Sequence, residues 1–199
     1  MALFRLGPPE TPSVVRGEGV YLRAPEARDF LAWSSLREQS RAFLTPWEPT
    51  WPPDDLTRTA FRRRLRRYAE EIEADEAHPF FLFRAGDHRL LGGLTLGNVR
   101  RGVAQAATLG YWMGEPYAGQ GYMRRAVAAA CGFAFDTLRL HRVEAACIPH
   151  NVASRRLLER NGFRQEGEAR SYLKIDGAWR DHVLYARIEG DRDGAATGL

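Results

Sequence analysis

The segment Gly114-Glu115-Pro116-Tyr117-Ala118-Gly119-Gln120-Gly121 lies between an apolar, strand-like run and a helical pattern that starts near Tyr122. A strand that turns through glycines into a helix leaves several backbone N–H groups without partners. These groups point the same way, and the helix dipole adds partial positive charge at that end. Pyrophosphate is a matching ligand. Gly119 and Gly121 let the main chain approach phosphates with no side chain in between. Arg124 and Arg125, in the first turn, can add charge-assisted bonds. The segment is not a P-loop, since no Gly-Lys-Ser/Thr follows, and it is not the Gly-x-Gly-x-x-Gly dinucleotide fingerprint. Taken alone, it is equally compatible with a plain strand–helix turn whose glycines serve packing.

A second segment, Asn151-Val152-Ala153-Ser154-Arg155-Arg156-Leu157-Leu158-Glu159-Arg160-Asn161-Gly162-Phe163, is complete as a short helix. Asn151 caps it, Leu157 and Leu158 pack, and Gly162 ends it. The histidines, His141 and His150 among them, are scattered without ligand spacing. Cys131 and Cys147 fall on core faces and make no disulfide framework or metal pattern. The cluster Arg62, Arg63, Arg64, Arg66, Arg67 reads as a solvated helix face or as a docking surface for RNA or an acidic peptide. Trp47 and Trp51 can wall a pocket or pack in a core.

The elements that must position these residues alternate between strand and helix. Residues 20–23 read as a short strand. Pro25 sits where a first-turn proline belongs, and Phe30, Leu31, Trp33 and Leu36 form an apolar stripe that ends near Arg37. Residues 43–53, with four prolines and two tryptophans, read as a rigid aromatic loop rather than a helix. Asp54 or Asp55 can cap a second helix whose core face is Phe61, Leu65, Tyr68 and Ile72. Strands are expected at 79–85, 89–96 and 107–113, with Gly86-Asp87 as a hairpin turn. After the glycine loop, Val127, Ala130, Cys131, Ala134, Phe135 and Leu138 line one helix face. A strand at 141–148 precedes the Asn151 helix, and Asp176-Gly177 joins strands at 163–174 and 179–188. The pattern is α+β: a mostly antiparallel sheet with one strand–helix–strand unit in its second half.

Composition bounds the rest. The chain has 199 residues, 44% hydrophobic and 27% charged, so a single domain with a real core is the default. Collagen-like, disordered and membrane-spanning classes are excluded, because no apolar run approaches the ~20 residues a spanning helix needs. The N-terminus is too short in its apolar part for a secretory signal, and a reducing cytoplasm is the expected compartment. The net charge is +4, and Lys174 is the single lysine. Arginine suits bidentate recognition of phosphate and carboxylate. Residues 7–13 read as a loose lead-in and the tail after Glu189 as frayed.

In combination, these motifs resemble the GNAT superfamily of acetyl-CoA-dependent N-acetyltransferases, and within it the ribosomal-protein N-terminal alanine acetyltransferase branch. The carrying residues are Gly110-Tyr111-Trp112-Met113, Ala118-Gly119-Gln120-Gly121-Tyr122-Met123, Leu140-His141-Arg142-Val143-Glu144, Asn151-Val152-Ala153-Ser154 with Glu159-Arg160-Asn161-Gly162-Phe163, and Asp176-Gly177-Ala178-Trp179-Arg180-Asp181-His182. The loop Phe43-Leu44-Thr45-Pro46-Trp47-Glu48-Pro49 is also similar to that branch. The resemblance implies one GNAT domain over residues 15–188, with flexible ends at 1–14 and 189–199. It implies a mixed, mostly antiparallel sheet of six or seven strands splayed like a V, flanked by about four helices. Acetyl-CoA is expected in the splay as cosubstrate, with no metal. Its pyrophosphate would lie on Gly119, Gln120, Gly121, Tyr122, Met123 and Arg124, its pantetheine beside Trp112 and Met113, and Asn151 would face its arm. Two departures from the family pattern stand out. The outer positions of the glycine loop are Ala118 and Met123, and Leu158 occupies the place of the tyrosine that commonly protonates the leaving thiolate. Ser154 matches the serine that replaces this tyrosine in the ribosomal branch.

The expected reaction is direct attack of an amine on the thioester in a ternary complex, with a backbone N–H near Met113 for the oxyanion. Glu144, on a strand beside the cleft, is favoured slightly over Glu115 as the base. The branch points to a protein N-terminus, the N-terminal alanine of a ribosomal protein, as acceptor, and the enzyme is expected as a monomer or homodimer with no membrane partner. The rivals are the same chemistry on an aminoglycoside, polyamine or amino acid, and a non-catalytic protein that binds acyl-CoA or RNA. A narrow acidic pocket favours a small amine, whereas an open groove favours a peptide.

Overall fold

The structure, a computed structural model, describes residues 14–192; the lead-in at 7–13 lies outside them. The strands are β1 (Val15–Gly17), β2 (Val20–Arg23), β3 (His78–Arg84), β4 (Leu90–Arg100), β5 (Ala106–Met113), β6 (Arg142–Cys147), β7 (Arg164–Ile175) and β8 (Ala178–Ile188). The helices are α1 (Phe30–Gln39), α2 (Arg41–Leu44), α3 (Arg58–Glu73), α4 (Tyr122–Gly132) and α5 (Val152–Arg160). The strands form one open sheet in the order β1-β2-β3-β4-β5-β6-β8-β7. Every neighbouring pair is antiparallel except β5–β6, which α4 connects in parallel.

The sheet separates two apolar layers. Phe80 and Leu82 of β3 join the core under α4, with Val127, Ala130, Leu158 and Tyr185. Phe81 and Phe83, on the opposite face as strand alternation requires, pack with Trp33, Leu36 and Phe61 of α1 and α3. Helix α4 widens into a π turn at Phe133–Thr137, which keeps Phe135 and Leu138 pointing inward. Among the described residues no helix is long and apolar enough to cross a membrane.

Several local expectations shift. The sheet gains an eighth strand, because β1 has only three residues, too few to show a period. Pro25 precedes the helical turns, which open with a 3-10 turn at Ala27–Asp29 capped by Glu26. Leu31 is 66% exposed, so the stripe of α1 is carried by Trp33 and Leu36. The aromatic loop is helical at its start, through α2 and a 3-10 turn at Thr45–Trp47, and turns extended only at Glu48. Thr57, not Asp54 or Asp55, caps α3 by accepting from the Ala60 N–H; the two aspartates pair instead with Arg63 and Arg64. At the C-terminal side, Glu189–Arg192 closes a 3-10 turn, and the Asp191 carboxylate accepts from the Ile188 N–H and pairs with Arg164.

Other signals hold in detail. Asn151 accepts from the Ser154 N–H at 3.0 Å and so caps α5. At its other end Gly162, with φ +78°, donates to Glu159 and Phe163 donates to Leu158, the paired bonds of a Schellman ending. Asp176 and Gly177 both have positive φ, as a two-residue hairpin turn requires.

Gly92 controls how closely β4 approaches the end of β5. A Cβ there would lie 2.4 Å from the Trp112 carbonyl oxygen. Gly92→Ala is therefore expected to cost about 1–3 kcal/mol by overpacking. A urea midpoint indistinguishable from the parent would show that the β5 backbone yields freely.

Candidate functional site

The site begins where strand pairing fails. β5 and β6 pair only at Ala106↔Arg142, Ala107↔Val143 and Thr108↔Glu144. Beyond that point β5 runs on beside β4 alone, and β6 beside β8 alone. The two strands diverge, and a cavity of about 940 Å³ opens between them. Residues 109–113 form one wall, Ala146, Cys147 and Ile148 the other, and the starts of α4 and α5 face into it.

One end of the cavity is built for an anion. Gly119 and Gly121 have φ of +73° and +78°, and an added Cβ at either would meet nothing within 4 Å. Left-handed backbone without side chains exposes the turn into α4. No N–H group from residue 119 to residue 124 has a hydrogen-bond partner among the described residues; Arg125 is the first to bond back, to Gly121. The arginines Arg124, Arg156 and Arg160 line the same cavity. None of the three has an ion-pair partner among the described residues, whereas many arginines elsewhere are matched to carboxylates.

The neck of the cavity holds three groups that sequence spacing does not join. The Tyr111 hydroxyl of β5 lies 2.6 Å from Ser154 Oγ of α5, and the Cys147 thiol of β6 is within hydrogen-bonding reach of the same serine. Burial pushes the Tyr111 phenol well above its ordinary range and raises the Cys147 thiol, so both stay protonated near neutral pH.

The opposite end is aromatic and roofed. Arg37, 7% exposed at its side chain, donates to both Glu48 carboxylate oxygens at 2.7 and 2.6 Å. Trp51 Nε1 donates to Glu48 at 2.7 Å, and the Arg37 guanidinium stacks 4.0 Å from the Trp51 ring. The Glu48 carbonyl accepts from the Asp176 N–H at 2.9 Å, which ties this loop to the tip of the β7–β8 hairpin. Trp47 packs in a tilted arrangement against His150, just after β6, with ring centroids 5.5 Å apart. Lys174 and His182 also line this region; His182 is 3% exposed, and its Nδ1 lies 3.0 Å from the Arg180 carbonyl.

Trp112, Met113, Gly119, Gly121, Tyr122, Met123, Arg124, Asn151 and Ser154 all line the cavity. Gln120 does not; its side chain donates to the Pro116 carbonyl. Glu144 does not either. It lies at the vertex of the splay, bound by Arg100 and, at 2.9 Å, by Arg142, which also holds Glu166. Both of its carboxylate oxygens are taken up by these guanidiniums outside the cavity lining, which is why the expected role does not fit its position. Glu115 is exposed, does not line the cavity, and starts a 3-10 turn with its N–H donating to Ser40 Oγ at 2.9 Å. Tyr111, Glu48, Cys147 and His182 are the cavity residues that periodicity could not single out, since each meets its partners only through the sheet. No group of three His, Cys, Asp or Glu able to hold a metal exists among the described residues.

An open cleft between splayed strands thus ends at a helix N-terminus whose unpartnered amides suit a phosphorylated ligand. Residues 20–164 match the acetyltransferase (GNAT) domain family, and the chain belongs to that family. It is 36% identical over 178 residues to Probable N-acetyltransferase YjcK of Bacillus subtilis (strain 168), covering 89% of this chain and 98% of that protein. It is 37% identical over 170 residues to the ribosomal protein uS5 alanine N-acetyltransferase of Escherichia coli (strain K12), covering 85% and 88%. Mycobacterium smegmatis RimJ, solved in complex with CoA-disulfide, superposes with a TM-score of 0.84 at 35% identity, over 91% of this chain and 87% of that one.

Glu48→Ala should leave the Arg37 charge buried without compensation, at a cost of about 3–5 kcal/mol in chemical denaturation. A loss under about 1 kcal/mol would mean that the guanidinium finds solvent instead.

Proposed function

We propose that this protein transfers acetyl from acetyl-CoA to the N-terminal α-amine of a protein, with the N-terminal alanine of a ribosomal protein as the favoured acceptor. The observation that carries the reading is the row of unpartnered amides at residues 119–124, set at one end of a cleft whose neck holds Ser154. Acetyl-CoA supplies an activated thioester whose diphosphate matches this seat. The amides and Arg124 hold the negative charge, and Arg156 and Arg160 add to the positive field. The edge of β5 beyond Thr108 has lost its β6 partner, so its main chain, through Trp112 and Met113, is free to pair with the amides of an extended arm.

Ser154 sits in the first turn of α5, at the positive end of its dipole, where a hydroxyl can donate to a departing thiolate. That task is light, because a thiol has a reference pKa of about 8.5. Deprotonating the acceptor is also light for an α-amine, whose pKa of about 7.7–8.0 leaves roughly a tenth neutral near pH 7, against well under a thousandth for a lysine. His182 suits this step better than Glu144. A carbonyl lies 3.0 Å from its Nδ1, so the neutral tautomer that donates to it leaves a lone pair on Nε2. The acceptor end also favours a peptide over a polycationic small molecule: its Glu48 carboxylate is neutralised by Arg37, and Lys174 adds positive charge.

Incubation with acetyl-CoA and a peptide copying the N-terminus of ribosomal protein uS5 should release free thiol and add one acetyl group to the α-amine by mass spectrometry. Tight CoA binding with no thiol release across a panel of amines would reject the reading in favour of a binding protein. Gly121→Val should raise the acetyl-CoA KM at least tenfold, since it strains a left-handed position and puts a side chain over the amides; unchanged cofactor kinetics would remove the phosphate role. Ser154→Ala should lower kcat by about 10²-fold with little change in CoA affinity, and full turnover would dismiss the serine as acid.

A further inference from the structure

The Tyr111–Ser154 contact adds a residue that acts through the serine. Two hydroxyl oxygens at 2.6 Å must share one proton between them. If Ser154 donates, its single proton is spent on Tyr111 and none remains for a ligand in the neck. If Tyr111 donates, the Ser154 proton is free. Hydrogen-bond chemistry selects the second arrangement, because a phenol is a much stronger acid than an aliphatic alcohol and therefore the better donor. Burial pushes the phenol above its usual range, so Tyr111 remains a donor throughout the working pH range. The other neighbour of Ser154 is the Cys147 thiol, whose sulfur is a weak acceptor and a poor rival for the serine proton. Ser154 itself is fixed, since its N–H is held by the Asn151 carboxamide in the first turn of α5.

We propose that Tyr111 is a positioning residue for acetyl transfer: its phenol donates to Ser154 Oγ and so keeps the serine proton aimed into the cavity at the leaving thiolate. The inference rests on the acetyl-transfer reading. In the transfer step the amine nitrogen forms a bond to the acetyl carbon, the carbon–sulfur bond breaks, and the sulfur takes its electron pair while accepting a hydrogen bond, and finally a proton, from Ser154. Tyr111 keeps its own proton throughout. The serine recovers one from solvent or from the amine as the products leave.

The test compares Tyr111→Phe, Ser154→Ala and the double variant on the peptide substrate. Tyr111→Phe is expected to lower kcat about tenfold, with KM for acetyl-CoA and CoA affinity by calorimetry within twofold of the parent. The double variant should be no slower than Ser154→Ala alone, because the phenol acts only through the serine. A purely structural role would instead multiply the two losses. Replacing Tyr111 by 3-fluorotyrosine, which preserves the donor but makes the phenol more acidic, should shift kcat with that acidity rather than lose it as Phe does. If the Phe variant does not fold, 3-fluoro- and 3,5-difluorotyrosine at position 111 carry the test, with kcat tracking phenol acidity. An unchanged kcat in Tyr111→Phe, multiplicative losses, or a flat fluorotyrosine series would each overturn the proposal while leaving the transferase reading intact. A parent protein that acetylates no amine would overturn both.

Discussion

The site depends on one constraint: parallel pairing between β5 and β6 stops after three residues. Each strand is fully engaged on its outer side, β5 by β4 and β6 by β8, so neither is free to follow the other once they diverge. On the β5 side, Gly92 and Gly93 let the Trp112 backbone and indole press against β4, and Trp112 then packs with the α1–α3 layer. At the vertex, Arg100, Glu144, Arg142 and Glu166 form an ion-paired line that ties β4, β6 and β7 together. Glu166 is held below its ordinary carboxylate range by Arg142. These groups are partly exposed, so the line contributes alignment more than energy.

The cavity that results is polarised. Its glycine-loop end is marked by what is missing among the described residues: side chains at two glycines, hydrogen-bond partners for successive amides, carboxylates for three arginines. The aromatic end is over-determined instead. Arg37 is enclosed by a carboxylate and an indole, and the loop that carries Glu48 is bound to the hairpin tip across the mouth. A buried guanidinium needs this enclosure, because an unpaired one would cost several kcal/mol. The difference suits a site that holds one ligand by its charge and admits a second beneath a shaped roof.

Much of this was legible from residue types. The glycine loop, the Asn151 cap, the Gly162 ending and the Asp176-Gly177 turn are all found where their chemistry places them. Where local reading misplaced an element, a nearby competitor had won. Asp54 and Asp55 are drawn off by Arg63 and Arg64 and leave the cap to Thr57. Phe43 and Leu44 complete a helical turn despite the prolines that follow, since Pro46 can occupy an early position in the next turn without losing a hydrogen bond. Glu144 sits on a strand beside the cleft, but the arginines that bind it come from residue 100 and from its own strand.

The amino-acid sequence by itself determined the helix ends, the hairpin turn, the left-handed glycines and the alternation of faces, because each is satisfied within a few residues by backbone geometry and burial. Tertiary structure alone decided the extent of the splay, the meeting of Tyr111 with Ser154 across 43 residues, and the enclosure of Arg37 by Glu48 and Trp51. Such partners have no spacing rule. They come together only once the sheet order is set, and their energy depends on burial that no isolated segment possesses.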